Sequence, residues 1–194
     1  MVVTGIPGVG KTTVLNELQE LARQNNFDLA VLNFGTVMTE IMRELGKNMH
    51  RDEMRQQTIE AQKKTQDLAA HEIMNRGGAS PILIDTHMFV RTSSGMWAGL
   101  PQNVLDIIKP QLFVLIEANP EHIAARRRGD LGRKREQSLA EEIAFDLEWS
   151  RATAAVSAVE TGAPVKVIRN DTGRQKQAAL ELLQAVRNLM EIQK

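Results

Sequence analysis

The sequence predicts an α/β protein in three layers, with one parallel sheet of five strands and helices on both faces. Short apolar stretches alternate with longer helix-like stretches along all 194 residues, as repeated strand–helix–strand units require. The stretch 112–116 is apolar at every position, which is typical of a strand covered on both faces. A glycine-rich turn follows the first apolar stretch and leads into a helical pattern, as in strand–turn–helix units of this class.

Each helix or strand is predicted from the periodicity of its apolar residues and from residues that are typical of its ends. Strands are predicted at 1–4, 29–33, 81–85, 112–116 and 164–169. Helices are predicted at 13–25, 36–45, 52–75, 102–108, 138–160 and 174–192, with a further helix opening at Asn119-Pro120. Ser138 and Glu141 form a capping box for the helix predicted at 138–160. The segment 86–101 is rich in serine and glycine and is predicted to be a loop.

Composition and length narrow the class of protein. The 194 residues predict a single domain over 1–194 that buries a sizeable core. Lys and Arg total 24 against 24 Asp and Glu, so no global charge recruits nucleic acid or an acidic membrane. The sequence has no cysteine, no signal-peptide pattern and no apolar run of the roughly 20 residues that a membrane span needs. These features predict a cytoplasmic protein.

The residues Gly5-Ile6-Pro7-Gly8-Val9-Gly10-Lys11-Thr12 match the phosphate-loop pattern Gly-x-x-x-x-Gly-Lys-Thr. Glycines allow successive backbone N–H groups to turn toward a phosphate, and the lysine reaches the outer phosphates. The threonine hydroxyl can ligate Mg²⁺, and the helix that follows favours anions at its N-terminus. The strand before the loop and the helix after it supply the context that the motif needs, so a bound nucleotide is predicted here.

Polar residues follow the other strands at the edge where ligands collect in such sheets. They are Asn33-Phe34-Gly35, Asp85-Thr86-His87, Glu117 and Asn170-Asp171. Asp85 stands where a second magnesium-side carboxylate is expected, so Thr12 and Asp85 are the candidate Mg²⁺ ligands, directly or through water. The alternative interpretation of Asp85 is a carboxylate that caps the next turn. For His87, a structural hydrogen bond is favoured over catalysis.

Arginines supply the cations that phosphoryl transfer between anionic nucleotides needs. Arg91 follows the Asp85 strand, and Arg51 and Arg55 open the long polar helix. The segment 126–135 carries six positive side chains against one Asp, with Gly129 and Gly132 as hinges. It is interpreted as a mobile flap that closes over phosphates and excludes water. The alternatives are a solvated basic face or an RNA-binding patch.

At this point the sequence resembles the archaeal-type adenylate kinases, in order and from end to end. The matching segments are 3–12, 33–35, 51–55, 84–87, 90–92, 99–101, the arginine flap and 165–168. The phosphate loop is generic, whereas Arg-Asp-Glu-Met-Arg at 51–55 and the series Asp-Thr-His, Arg-Thr and Gly-Leu-Pro are far more specific. One departure is Gly129 directly before Asp130, where the family would place a basic residue.

The resemblance implies a cytoplasmic, Mg²⁺-dependent enzyme, typically a homotrimer, that interconverts ATP plus AMP with two ADP. It implies a three-layer P-loop NTPase fold with an AMP-binding flap at about 35–76 and a short lid at about 126–137. The implied ATP site is Gly5, Ile6, Pro7, Gly8, Val9, Gly10, Lys11, Thr12 and Thr13, with 171–173 beside the adenine. The implied AMP site is Phe34, Gly35, Met38, Arg55 and Arg91. The implied catalytic residues are Lys11, Arg91, Arg126, Arg133 and Arg135.

Three alternatives stay open on the residues themselves. One is a P-loop kinase of another small acceptor, such as UMP, CMP or shikimate. The second is a GTPase switch or other nucleotide-gated protein, although the sequence has no Asn-Lys-x-Asp and no Asp-x-x-Gly after a strand. The third is an RNA- or ribosome-associated ATPase using the 126–135 run, but the aromatic content of 4% offers little for stacking on bases. Binding to nucleic acid or membrane is therefore not expected.

Overall fold

The structure is a computed structural model that describes residues 1–47, 53, 57–78, 80–92, 95–129 and 140–191. The strands in these ranges are β1 Val2–Thr4, β2 Ala30–Asn33, β3 Ile82–Asp85, β4 Phe89–Thr92, β5 Gly95–Ala98, β6 Phe113–Glu117 and β7 Val165–Arg169. The helices are α1 Lys11–Gln24, α2 Phe34–Glu44, α3 Ile59–Gly77, α4 Gln102–Ile108, α5 Pro120–Gly129, α6 Ala140–Thr161 and α7 Gln175–Glu191. None of these helices is both long and apolar enough to cross a bilayer.

The main sheet has five strands in the order β2-β3-β1-β6-β7, and every neighbouring pair is parallel. The five-stranded parallel sheet predicted from the sequence is therefore confirmed. The register places Asn33 opposite Asp85 and places Val3 opposite Asp85 and Val114. Because all five strands point the same way, the residues after their carboxyl ends share one edge of the sheet with the loop after β1.

Alternating strand residues pack into two hydrophobic cores, one on each face of the sheet. Val3 and Val114 lie in a core with the apolar faces of α1 and α7. Val2 and Phe113 lie in the other core, with residues of α2, α3 and α4. These four strand residues are at 0% exposure, so the sheet is covered on both faces and the three-layer prediction is confirmed.

The segment predicted as a loop at 86–101 contains an antiparallel hairpin, so that prediction is wrong. Strands β4 and β5 pair from Phe89 opposite Ala98 to Thr92 opposite Gly95. Serine and glycine favoured a loop, but the aromatic and β-branched residues beside them prefer a pleated surface. At Gly99, whose amide donates to the Met88 carbonyl at 2.8 Å, an added Cβ would lie 1.9 Å from the His87 carbonyl oxygen.

Helices α2 and α3 start at residues other than those predicted. The polar helix α3, predicted at 52–75, spans Ile59–Gly77, and the extended Thr58 caps its start by accepting from the Ala61 N–H at 3.3 Å. Of the predicted start, Glu53 is helical, and residues 52 and 54–56 lie outside the described residues. Helix α2 starts at Phe34, two residues before the prediction, because the Asn33 side chain caps it. The capping box at Ser138 lies outside the described residues.

Candidate active site

The phosphate loop joins β1 to α1 and depends on glycine conformation. Gly8 and Gly10 have φ values of 92° and 83°, in the left-handed region that favours glycine. A Cβ on Gly10 would lie 2.5 Å from the Asn170 side-chain nitrogen. The N-cap of α1 is Gly10, which has no side chain to cap the helix. The N-terminus of α1 favours an anion.

Three side chains from other elements donate hydrogen bonds to backbone carbonyls of the phosphate loop. Asn170 Nδ2 donates to the Val9 carbonyl at 2.7 Å, and Arg126 Nη1 donates to the same oxygen at 3.0 Å. Arg127 donates to the Pro7 carbonyl from Nε at 3.0 Å and from Nη2 at 2.8 Å. Because these hydrogen bonds hold the carbonyls pointing out of the loop, the loop keeps the shape that binds a phosphate. The hydrogen bonds of Arg126 go to the loop backbone, and its predicted catalytic role stays a prediction.

Lys11 and Asp85 form a buried ion pair beside the loop, with exposures of 8% and 9%. Lys11 Nζ donates to Asp85 Oδ1 and to the Thr86 carbonyl, the latter at 2.8 Å. Asn33, opposite Asp85 in the register, donates from Nδ2 to Asp85 Oδ2 at 2.5 Å. Both carboxylate oxygens of Asp85 therefore have a protein partner.

Thr12 and Asp85, the predicted Mg²⁺ ligands, could supply only part of the coordination shell of the ion. Thr12 carries an exposed hydroxyl on the first turn of α1, and the Asp85 carboxylate is within hydrogen-bond reach of Lys11. Within the described ranges, no group of three or more His, Cys, Asp or Glu residues is placed to hold a metal. Mg²⁺ keeps several waters and shares its ligands with substrate phosphates, so two protein oxygens suit it better than a closed cage.

An open pocket of about 130 Å³ lies against this pair, between α2, α3 and the β4–β5 hairpin. It brings together Phe34, Gly35 and Met38, three of the four described residues predicted to bind AMP, whereas the fourth, Arg91, does not line it. Gln62, Gln66 and Trp97 also line it, although no motif in the sequence marks them as binding residues. The two glutamines are four residues apart on α3, and that spacing on a polar helix was the available signal. Arg55 lies outside the described residues.

Arg91 extends from β4 toward α6 and is paired with a carboxylate there. Its Nη2 and Nε donate to Asp146 Oδ1 at 2.6 and 3.2 Å, and its guanidinium carbon lies 5.8 Å from the centre of the Phe145 ring. Arg127 Nη2 approaches the other oxygen of Asp146 at 3.8 Å. Asp146 thus ties Arg91 to the helix that holds the loop, and no sequence motif marked it. Arg133 and Arg135 lie outside the described residues.

The other carboxylates of this edge are also paired. Glu117, 1% exposed, accepts from Arg151 at 2.6 and 2.7 Å, which holds the pKa of Arg151 above its usual range. Asp171 accepts from the Asn119 backbone N–H at 2.7 Å, and this hydrogen bond is the main reason that the pKa of Asp171 is lowered. His87 Nδ1 donates to the Gly5 carbonyl at 2.8 Å, in line with the structural role favoured for it. The arrangement is suited to holding anions by fixed donors and cations.

Comparisons with known proteins give the family. A family model described as AAA domain matches residues 4–144. The chain is 39% identical over 187 residues to an adenylate kinase of Methanoculleus marisnigri, covering 96% of this chain and 97% of the relative. The chain belongs to the adenylate kinase family. The adenylate kinase of Methanothermobacter thermautotrophicus is 40% identical over 183 residues, and that of Sulfurisphaera tokodaii is 39% identical over 189 residues.

The similarity to these adenylate kinases extends over almost the whole length of both chains, at 94–96% of this one and 96–97% of the relatives. The predicted resemblance and the predicted phosphotransferase class are thereby confirmed. The fold is also similar to the 1.7 Å crystal structure of shikimate kinase from Bacteroides thetaiotaomicron, with a TM-score of 0.60 at 14% identity over 96% of this chain and 97% of that one. At that identity the likeness concerns the fold alone.

Proposed function

We propose that this chain catalyses reversible, Mg²⁺-dependent transfer of a phosphoryl group from ATP to AMP, which yields two ADP. The observation that carries the proposal is the position of the pocket. Asn33, Phe34 and Asp85 line it, while Asp85 is paired with the phosphate-loop lysine. An acceptor in the pocket would therefore sit next to a donor phosphate on the loop, which is the proximity that direct transfer needs.

ATP binds through its phosphates in this proposal. The backbone of residues 5–13 surrounds the phosphates, and Lys11 exchanges its bond to Asp85 for one to the outer phosphate. Thr12 would hold Mg²⁺, with Asp85 acting through water, and the ion would neutralise charge on the phosphate oxygens. The turn at 171–173 lies beside the adenine of ATP.

AMP binds in the pocket, with Phe34, Gly35 and Met38 against the nucleoside and Arg55 and Arg91 on its phosphate. Arg91 then exchanges Asp146 for the AMP phosphate, which offers the same pairing of guanidinium with oxygen anion. The AMP phosphate is already a charged nucleophile, so the transfer needs no general base. Catalysis rests on positioning and on charge neutralisation, to which Lys11, Arg91, Arg126, Arg133 and Arg135 contribute.

The two flaps, at about 35–76 and 126–137, close over the nucleotides in this proposal and exclude water. The cytoplasmic location stays a prediction. The predicted homotrimer has some support in the exposed apolar residues Val156, Val159 and Val167 on α6 and β7, of which Val159 is 83% exposed. Light scattering of the purified protein, with Val159→Asp as the variant expected to dissociate, tests that assembly.

The function is tested by mixing the protein with Mg²⁺, ATP and each of AMP, CMP, UMP and GMP, and following ADP. We expect rapid ADP formation with AMP. Rapid turnover with CMP or UMP instead would identify a kinase of another acceptor. ADP formation that needs no acceptor would identify an ATPase, and salt-dependent RNA binding without turnover would favour the RNA-associated alternative.

A further inference from the structure

Gln66 is a residue of the acceptor-pocket lining whose buried side-chain oxygen has no partner among the described residues. It lies on α3, is 4% exposed and lines the pocket. Its Nε2 donates to the carbonyls of Ala98 and Gly99 at 3.1 and 3.3 Å. Those two carbonyls fix the orientation of the amide, because the reverse orientation would set Oε1 against two acceptors. Oε1 is buried, and no described residue donates to it.

Trp97, which lines the same pocket, carries a hydrogen-bond donor where Gln66 carries an acceptor. It lies on β5, one residue before the first carbonyl that Gln66 contacts, and its Nε1 is buried without an acceptor among the described residues. The indole nitrogen can only donate. Buried polar atoms without partners are rare in native proteins because each costs free energy, so two of them lining one pocket indicate a ligand that satisfies both.

We propose that Gln66 and Trp97 recognise the base of the acceptor nucleotide and select adenine. The Gln66 Oε1 accepts a hydrogen bond from the exocyclic 6-amino group, and the Trp97 Nε1–H donates to a ring nitrogen. The apolar walls at Phe34 and Met38 face the rest of the base. This inference rests on the proposed function, since it assigns specificity within the same acceptor pocket.

Inosine monophosphate is the matched probe for this assignment. Its base differs from adenine in replacing the 6-amino group with a keto oxygen, which also converts the acceptor N1 into a donor N1–H. The keto oxygen cannot donate to Gln66 Oε1, and the amide cannot turn over without losing both backbone carbonyls. A site built to hydrogen-bond one group rejects an analogue that lacks it, so we expect the wild-type protein to prefer AMP by on the order of ten- to a hundredfold in kcat/KM.

The variants are Gln66→Met, which nearly keeps side-chain size, and Trp97→Phe, which keeps an aromatic ring, and each removes the hydrogen-bonding atom in question. Trp149→Phe is the matched control, because the sequence has 2 tryptophans and Trp149 lies on α6 rather than in the pocket lining. We expect the preference for AMP over IMP to fall to within about threefold in Gln66→Met and to fall partly in Trp97→Phe, mainly through the KM for AMP. Trp149→Phe should keep the wild-type preference.

A binding measurement separates this inference from the proposed function. In Trp149→Phe, Trp97 is the remaining tryptophan, so its emission reports on the pocket whether or not turnover occurs. A stronger response to AMP than to IMP, without ADP formation, would support base recognition and refute the proposed kinase. Wild-type AMP preference in both Gln66→Met and Trp97→Phe would overturn the inference and leave the kinase standing. Equal losses for AMP and IMP would also overturn it, because a purely structural role affects both nucleotides alike.

Discussion

Replacement of Lys11 by methionine tests whether the phosphate-loop lysine stabilises the fold as well as the reaction. The Lys11 and Asp85 side chains are 9% and 12% exposed, so removing the lysine leaves a buried carboxylate without its cation. Removing one partner of a buried pair typically costs about 3–5 kcal/mol. The hydrogen bond from Asn33 remains at 2.5 Å, so we expect the lower end of that range, about 3 kcal/mol.

Urea denaturation measures this loss of stability. With a slope of about 2 kcal/mol per molar urea, a loss of about 3 kcal/mol lowers the unfolding midpoint by about 1.5 M. The double variant Lys11→Met/Asp85→Asn removes the unpaired charge, so it should be more stable than Lys11→Met alone. Turnover of Lys11→Met, measured without urea where the protein stays folded, should fall by at least about a hundredfold.

The matched control is Arg23→Met, which removes a surface ion pair on the same helix. Arg23 and Glu20 are 3.3 Å apart with side chains 74% and 52% exposed, so the change should cost less than about 1 kcal/mol. Equal midpoints for Lys11→Met and Arg23→Met would refute the argument. Effects of Lys11→Met and Asp85→Asn that simply add in the double variant would also refute it, since a coupled pair is not additive.

Three further changes follow from individual contacts. Arg91→Ala should raise the KM for AMP about tenfold or more and leave the KM for ATP nearly unchanged, because only the acceptor loses a charged partner. Gly10→Ala should lower stability by more than the roughly 1–2 kcal/mol that a left-handed alanine costs, because its Cβ also meets Asn170 Nδ2 at 2.5 Å. Asp171→Asn should abolish a stabilising contribution that the wild-type protein has above pH 3.8 and loses as the pH falls through the lowered pKa of Asp171.

Each of these changes has its own measurement and control. For Arg91→Ala, initial rates are measured while AMP or ATP is varied, with Arg187→Ala on α7 as the control. An equal rise in both KM values would show that Arg91 serves both nucleotides. For Gly10, the control is Gly46→Ala, since Gly46 has a φ of 74° but nothing within 4 Å of an added Cβ. Equal losses of stability in Gly10→Ala and Gly46→Ala would show that the contact with Asn170 adds nothing to the cost. For Asp171, parallel pH–stability curves of variant and wild type between pH 2 and 6 would contradict the linkage.

Much of the site follows from local sequence rules. The phosphate loop is recognisable because only glycine adopts the backbone of Gly8 and Gly10 without strain, and because its strand and helix are contiguous in the chain. Asp85 and Asn33 were placed at one edge because parallel strands share their direction. These inferences need the order of residues and the rule for parallel strands, and no knowledge of which side chains touch.

The hairpin and the pocket partners were missed for a different reason. Strands β4 and β5 are too short for a strong periodic signal, and their pairing depends on the close packing of Gly99 against the backbone of His87. Gln66 on α3 and Trp97 on β5 are 31 positions apart, and their unpaired polar atoms become apparent only when both elements enclose the same pocket.

The sequence by itself determined the parallel α/β class, the phosphate loop and the edge where the site lies, because each depends on local conformation and on strand direction. The tertiary structure decided the partners of the charged groups: Lys11 with Asp85, Arg91 with Asp146, and Arg126 and Arg127 with the loop carbonyls. Those pairings join residues that are 55–120 positions apart. The pairing of β1 with β3 brings Lys11 to Asp85, and the packing of α5 and α6 brings together the other groups. No local pattern in the chain encodes these contacts.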